Sequence, residues 1–164
     1  MKIHRLKLRR RRREAGSALV ENAVVVSVLL MIFFGVIDFG RALYTFNFVA
    51  HAAREGTRYA SVRGLTAGTA CSGSPFPAGC TATSADVSTY LKNSLPALDG
   101  TKMTVTTTWP VQTYSPALCS TASTKNSPGC TVQVNVSYSY SFMLPYLPTA
   151  AITMNSTSKM VISQ

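Results

Sequence analysis

The chain has 164 residues, 16 Lys and Arg against 6 Asp and Glu, and a formal charge of +10. This length makes one ordinary domain, or a small domain with an appendage, and excludes a large barrel enzyme. With 13% charged residues against 46% hydrophobic ones, the chain is no disordered polyelectrolyte.

The charge is concentrated at the start. Residues 1–16 hold Lys2, Arg5, Lys7 and Arg9 to Arg13 against Glu14 alone, or +7 of the +10. Such a cluster could release counterions from nucleic-acid phosphates. The residues that follow argue otherwise. No charged residue occurs from Asn22 to Ile37, and the stretch from Ser17 to Ile37 carries one carboxylate, Glu21. At ~1.5 Å per residue this stretch is about 31 Å long, one hydrocarbon core. Apolar residues cover every face, so it reads as a membrane-inserted helix rather than a one-faced surface helix. Cations preceding it place the N-terminus in the cytoplasm and the remainder outside. A secretory signal peptide would be cut soon after the apolar run. The nearest small-x-small site, Ala50-His51-Ala52, lies far beyond it, past Asp38 and Arg41. A twin-arginine signal would need a less apolar run.

Gly16 separates the basic stretch from the apolar one, and Glu21 is the fifth residue after it. This Gly-x4-Glu arrangement resembles the processing site of type IV pilin-like proteins. The resemblance implies cleavage by a prepilin peptidase between Gly16 and Ser17, with the apolar helix kept on the mature protein. Glu21 has a physical case of its own. A carboxylate inside a membrane helix costs about 2.5–3.5 kcal/mol on insertion scales, so it needs a partner or a proton. Cleavage would create an α-amino group on Ser17, one helical turn away or supplied by a neighbouring subunit. Glu21 is thereby expected to set register in assembly.

Gly35-Val-Ile-Asp38-Phe39-Gly40-Arg41 follows, and then Ala52-Ala53-Arg54-Glu55-Gly56-Thr57-Arg58. Together with Gly16 and Ser17-Ala-Leu-Val-Glu21, these motifs resemble those of the TadE-like family, pseudopilins of the tight-adherence, or Flp-type, pilus assembly system. The resemblance covers about residues 16–63. Asn22 stands where that family more often has an aromatic residue.

Residues 38–63 are expected to continue the helix. Phe39, Leu43, Phe46, Ala50, Ala53, Thr57 and Ala60 alternate at spacings of four and three, an a/d seam open to a partner helix. Glu55 and Arg58 are placed to pair at i,i+3. Asp38 and Arg41, also i,i+3, are expected to anchor the helix at the outer membrane boundary. Gly64 is a plausible stop. The membrane segment and its continuation make one helix of about 45 residues, roughly 70 Å long.

The last hundred residues change character: 32 of residues 65–164 are Ser or Thr, and charges are rare. Segment 65–83 reads as a loop. Ser84 could cap a short helix with Val87, Tyr90, Leu91 and Leu95 on one face, stopped by Pro96. Asp86 reads as first-turn helix charge and Asp99-Gly100 as a turn. Met103, Val105, Thr107 and Trp109 alternate with polar residues as a strand ended by Pro110. Residues 115–130 read as a second loop. Val132, Val134, Val136, Tyr138, Tyr140 and Phe142 alternate with polar residues as the clearest strand of all. Pro145 and Pro148 bracket a loop. Ile152, Met154, Met160 and Ile162 share a parity in a last strand. The expected fold is α+β: a long N-terminal transmembrane and stalk helix, then a small two-layer head of one short helix and a three-stranded antiparallel sheet.

Cys71, Cys80, Cys119 and Cys130 fall in loops on the outer side. Their spacings are not those of zinc sites, so no metal is expected and disulfides are the better reading. Four cysteines allow three pairings, of which the local one, Cys71–Cys80 with Cys119–Cys130, is preferred. His4 and His51 lie outside the head, whose only carboxylates are Asp86 and Asp99. No phosphate loop, nucleophile elbow or dinucleotide fingerprint occurs, so no enzyme and no cofactor is expected. The sequons Asn135-Val-Ser137 and Asn155-Ser-Thr157 lie in expected strands and read as chance.

The organisation read from the sequence is a cleaved basic leader at 1–16, a transmembrane helix at 17–38, its periplasmic continuation at 39–63 and a periplasmic or extracellular head at 64–164. The resemblance implies a minor pilin of the inner membrane that takes part in assembling a pilus, whether by entering the filament or only by supporting its assembly. Its expected partners are the prepilin peptidase, other pilin or pseudopilin subunits through the N-terminal helix, the inner-membrane secretion platform and membrane lipid, with no nucleic acid. The alternative is an uncleaved single-pass anchor for an adhesin or envelope-binding head.

Overall fold

The computed structural model describes residues 2–69, 81–95, 98–111, 119–121, 123–143 and 151–163, with side chains from Gly16 onward except at 68 and 69. Helix α1 runs unbroken from Lys2 to Ser61, 60 residues or about 90 Å. It is longer than the expected 45 residues because the basic stretch is also helical. The chain before Pro75 contains no proline, so nothing removes a helical hydrogen bond within α1. Within the apolar stretch the Ser27 hydroxyl donates to the Val24 carbonyl at 2.8 Å, satisfying its polar group locally. Past Ser61 the chain tightens into a 3-10 turn over Leu65–Thr69.

Helix α2 spans Ser84–Ser94. Its cap is Thr83, one residue before the Ser84 expected from the sequence. The Thr83 side chain accepts from the Asp86 N–H at 3.2 Å, and the Asp86 carboxylate accepts from the Thr83 N–H at 3.0 Å. Asp86 is therefore half of a capping box rather than only a first-turn charge. Val87 and Leu91 are the buried face.

Strands β1 (Met103–Thr108), β2 (Thr131–Tyr140) and β3 (Ile152–Val161) form an antiparallel sheet in the order β1-β2-β3. The register sets Val105 opposite Val136, Val132 opposite Met160 and Tyr140 opposite Ile152. One face carries Met103, Val132, Val134 and Val136 into a core with Val49, Ala52, Ala53 and Ala60 of α1 and Val87 and Leu91 of α2. The other face carries Thr104, Thr106, Gln133, Asn135, Ser137, Asn155 and Thr157. Across it Asn135 Nδ2 donates to Thr157 Oγ1 at 2.7 Å. Here the serine and threonine excess finds a use, since threonine suits a pleated surface and solvates it without charge.

The fold is thus α+β, one helical layer on one three-stranded sheet. Two strands end earlier than their alternation suggests. Phe142 lies beyond β2 and packs edge-on against the Tyr140 ring at 5.4 Å. Trp109 lies beyond β1 under the Lys125 ammonium, 4.6 Å from its ring centre. Cys119 and Cys130 are joined as expected, with Cα atoms 5.7 Å apart. Cys71 and Cys80 lie outside the described residues.

Candidate functional site

From Gly16 to Ile37 helix α1 is bare. Gly16, Ser17 and Glu21 are exposed, and so are the large apolar side chains from Leu19 to Ile37. Residues Gly16–Ser61 contain a stretch long and apolar enough to cross a membrane, almost none of it covered by the head. Among the described residues no cation lies within 4.0 Å of Glu21, the one ion pair being Arg41–Asp38.

The head begins at Asp38. The sequence suggests an interfacial anchor there; the structure instead makes Asp38 a tie between helix and head. It is 4% exposed. The Tyr140 hydroxyl donates to its Oδ1 at 2.9 Å and to its backbone carbonyl at 3.2 Å. The Met143 N–H donates to Oδ2 at 3.1 Å. The Arg41 guanidinium approaches Oδ1 at 3.4 Å. Burial, then the hydrogen bond to Asp38, pushes the Tyr140 phenol above its ordinary value. Hydrogen bonds to a charged group are the stronger kind, so this carboxylate fixes the end of β2 to one turn of α1.

At the far end of the packed region the backbone closes the same arrangement. The Ser163 N–H donates to the Ser61 carbonyl at 3.0 Å. Strand β2 therefore runs back along α1 toward Asp38, and β3 runs out again.

Between these ties the second motif packs closely. Ala52, Ala53 and Thr57 are completely buried. A Cβ built on Gly56 would come within 2.8 Å of Leu91 Cδ1 and 3.2 Å of Val134 Cγ1. Small residues here let the helix axis approach both α2 and the sheet. The Thr57 hydroxyl turns back to the Ala53 carbonyl at 2.7 Å and leaves no unsatisfied group. Arg54 and Arg58 are exposed. The expected Glu55–Arg58 pair does not form. Glu55 accepts from the Tyr90 hydroxyl at 3.0 Å instead. This hydrogen bond, ahead of burial, raises the Tyr90 phenol above its ordinary value. Tyr90 stacks on Tyr59 at 4.1 Å, and Arg63 covers the other ring at 3.9 Å from its centre.

The expected seam is split. Ala53, Thr57 and Ala60 are buried, whereas Phe39, Leu43 and Phe46 face outward, Phe39 at 63% exposure. The stripe that meets the head is Asp38, Thr45, Val49, Ala52, Gly56 and Ala60, rotated from the seam toward the smaller side chains. Gly35 and Gly40 have no atom within 4 Å of a would-be Cβ, so no packing within the chain demands a glycine at either.

Most of the helix that carries these contacts is similar to a known family. Residues 16–58 match the family model described as TadE-like protein. The match begins at the expected cleavage glycine and takes in both motifs. The TadE-like segment accordingly contains the bare apolar helix, the Asp38 tie and the close-packed Ala52–Arg58 turn pair. Comparison with curated proteins and with solved structures returned no match for the chain.

Proposed function

We propose that the chain is a minor pilin, or pseudopilin, that takes part in assembling a tight-adherence pilus. The observation that carries this reading is the TadE-like match over residues 16–58, lying on a single helix whose inner half is apolar and uncovered. In this reading the basic leader holds the N-terminus in the cytoplasm, and a prepilin peptidase cuts between Gly16 and Ser17. Glycine costs a helix interior about 1 kcal/mol relative to alanine, so Gly16 weakens the helix where the basic and apolar stretches meet and the cut is placed. The new Ser17 amine lies one turn from Glu21, which has no cation of its own chain among the described residues. Pairing in low dielectric, within a chain or between neighbours, offsets the cost of placing Glu21 in the membrane.

The protein acts in this scheme as a substrate and a building block, without catalysis or cofactor. Its partners are other pilin-like subunits along the exposed helix and the inner-membrane platform, with the head in the periplasm. N-terminal sequencing of membrane and sheared-pilus fractions tests it. The mature chain begins at Ser17 if the reading holds. Retention of Met1 in the assembled form, or a cut at Ala52, refutes it and leaves an uncleaved single-pass anchor.

A further inference from the structure

The Asp38 tie fixes where the head sits relative to the apolar helix. Asp38 is the first charged residue after the apolar stretch that ends at Ile37. Its carboxylate holds the Met143 backbone at 3.1 Å and the Tyr140 hydroxyl at 2.9 Å, and Tyr140 is paired with Ile152 across the sheet. One residue of helix is about 1.5 Å of rise, so the head has no standoff from the end of the apolar helix. The surface it presents at this level is apolar. Met143 is 77% exposed, and Phe39, next to Asp38 on the helix, and Ile152, opposite Tyr140, are exposed as well. Phe142 is half-buried against Tyr140. No charged residue occurs in the sequence from Thr131 to Ser158.

The ionic groups near this end are mostly cationic. Arg41 has a half-exposed side chain on Asp38. Lys102 is placed at this end because its carbonyl accepts from the Ser139 N–H at 3.1 Å. The neighbouring carboxylate, Asp99, is taken up by the Thr101 hydroxyl at 2.6 Å and its N–H at 2.9 Å. Exposed Phe and Met with arginine and lysine residues near them is the chemistry of a bilayer interface. Arginine and lysine stems can lie along such a surface with their heads at the phosphates.

We infer that the end of the head formed by Phe39, Phe142, Met143 and Ile152 around the Asp38 tie lies in the headgroup region of the leaflet on the head's side, a second lipid contact beside the helix. This rests on the reading of residues 17–37 as a membrane span, and the test separates the two. The full chain, with Trp109→Phe, is given single tryptophans by Met143→Trp, Val161→Trp or Phe33→Trp and reconstituted into phosphatidylcholine–phosphatidylglycerol vesicles with brominated acyl chains. Met143 and Val161 are both exposed, so neither substitution disturbs the core. Val161 lies opposite Thr131, at the other end of β2 from Tyr140, and serves as the solvent reference.

Bromolipid quenching at Met143→Trp and Phe33→Trp, with none at Val161→Trp, is the expected result. Quenching at Phe33→Trp with an unquenched Met143→Trp overturns the head contact and leaves the span. No quenching at either position overturns both. A Met143→Trp signal that shifts with protein density but escapes bromolipid makes the surface a protein contact, which also overturns the inference.

Discussion

Gly56→Ala sets two known effects against each other. In an exposed helix interior, alanine in place of glycine stabilises by about 1 kcal/mol through backbone entropy. At Gly56 the new methyl would meet Leu91 Cδ1 at 2.8 Å and Val134 Cγ1 at 3.2 Å. Ordinary carbon contacts lie near 3.5–4.0 Å, so both are too close. Leu91 is the end of a flexible side chain, but it is completely buried, as is Val134. Relief therefore requires α1 to move off α2 and the sheet, and overpacking of this kind costs typically 1–3 kcal/mol. The net expectation is a loss of about 1 kcal/mol, or a fall of roughly 2–4 °C in Tm for a chain of this size. Gly56→Val, which is branched at Cβ, should fall further. Gly40→Ala is the internal reference, because nothing lies within 4 Å of its would-be Cβ and only the propensity gain remains. Thermal unfolding of the full chain in detergent, followed by near-UV circular dichroism, reads all three. A Gly56→Ala protein as stabilised as Gly40→Ala would refute the close packing of α1 on α2.

Two further tests address the ties. Asp38→Ala and Tyr140→Phe should each destabilise, by about 3 and about 1–2 kcal/mol respectively. In a double-mutant cycle by chemical denaturation the double variant should lose less than the sum of the two single losses, since the Tyr140 hydroxyl donates to Asp38 Oδ1 and either substitution removes that bond. The Tyr140 phenol is raised in the fold above its ordinary 10.0, so its neutral form is favoured there. That contribution is fully present below pH about 10 and is lost as pH climbs through the raised value; Tyr140→Phe should flatten this alkaline decline. Separately, the Cys119–Cys130 bridge closes a short loop at sequence separation 11. Replacing both cysteines by serine should cost about 3 kcal/mol in denaturant unfolding, from loop-closure entropy.

Much of the fold was legible because it rests on period and composition. The alternation of Val132, Val134 and Val136 could be satisfied only by a strand with one buried face, and the uncharged run to Ile37 only by an apolar environment. The rotation of α1 against the head was not legible. The heptad spacing joins Phe39, Leu43 and Phe46 to Ala53, Thr57 and Ala60 in one seam, but only the small residues of its second half are buried, together with Val49, Ala52 and Gly56, where a closer approach is possible. The partner of Asp38 is not legible for a related reason. Its local neighbour Arg41 is visible in sequence, but its stronger partner lies 102 residues away. One signal was present: Tyr140 belongs to the buried parity of its strand, and a buried phenol needs an acceptor. Gly35 and the exposed Phe39 and Gly40 make no packing contact that demands them within the chain, although the TadE-like match covers them.

The joining of Ser163 to Ser61 has a consequence for the order in which the chain folds as it is made. Val49, Ala52, Ala53 and Ala60 leave the ribosome long before β2 and β3, which cover them. Until residues near Ser163 arrive, that stripe of helix is an open template with no sheet to meet. Folding of the head is therefore a late, long-range closure, slow by the rule that distant contacts cost loop entropy first. During that interval the helix is free to take up any other apolar surface offered to it. Anything that shields residues 45–60 during this wait would change the rate of folding without altering the folded chain.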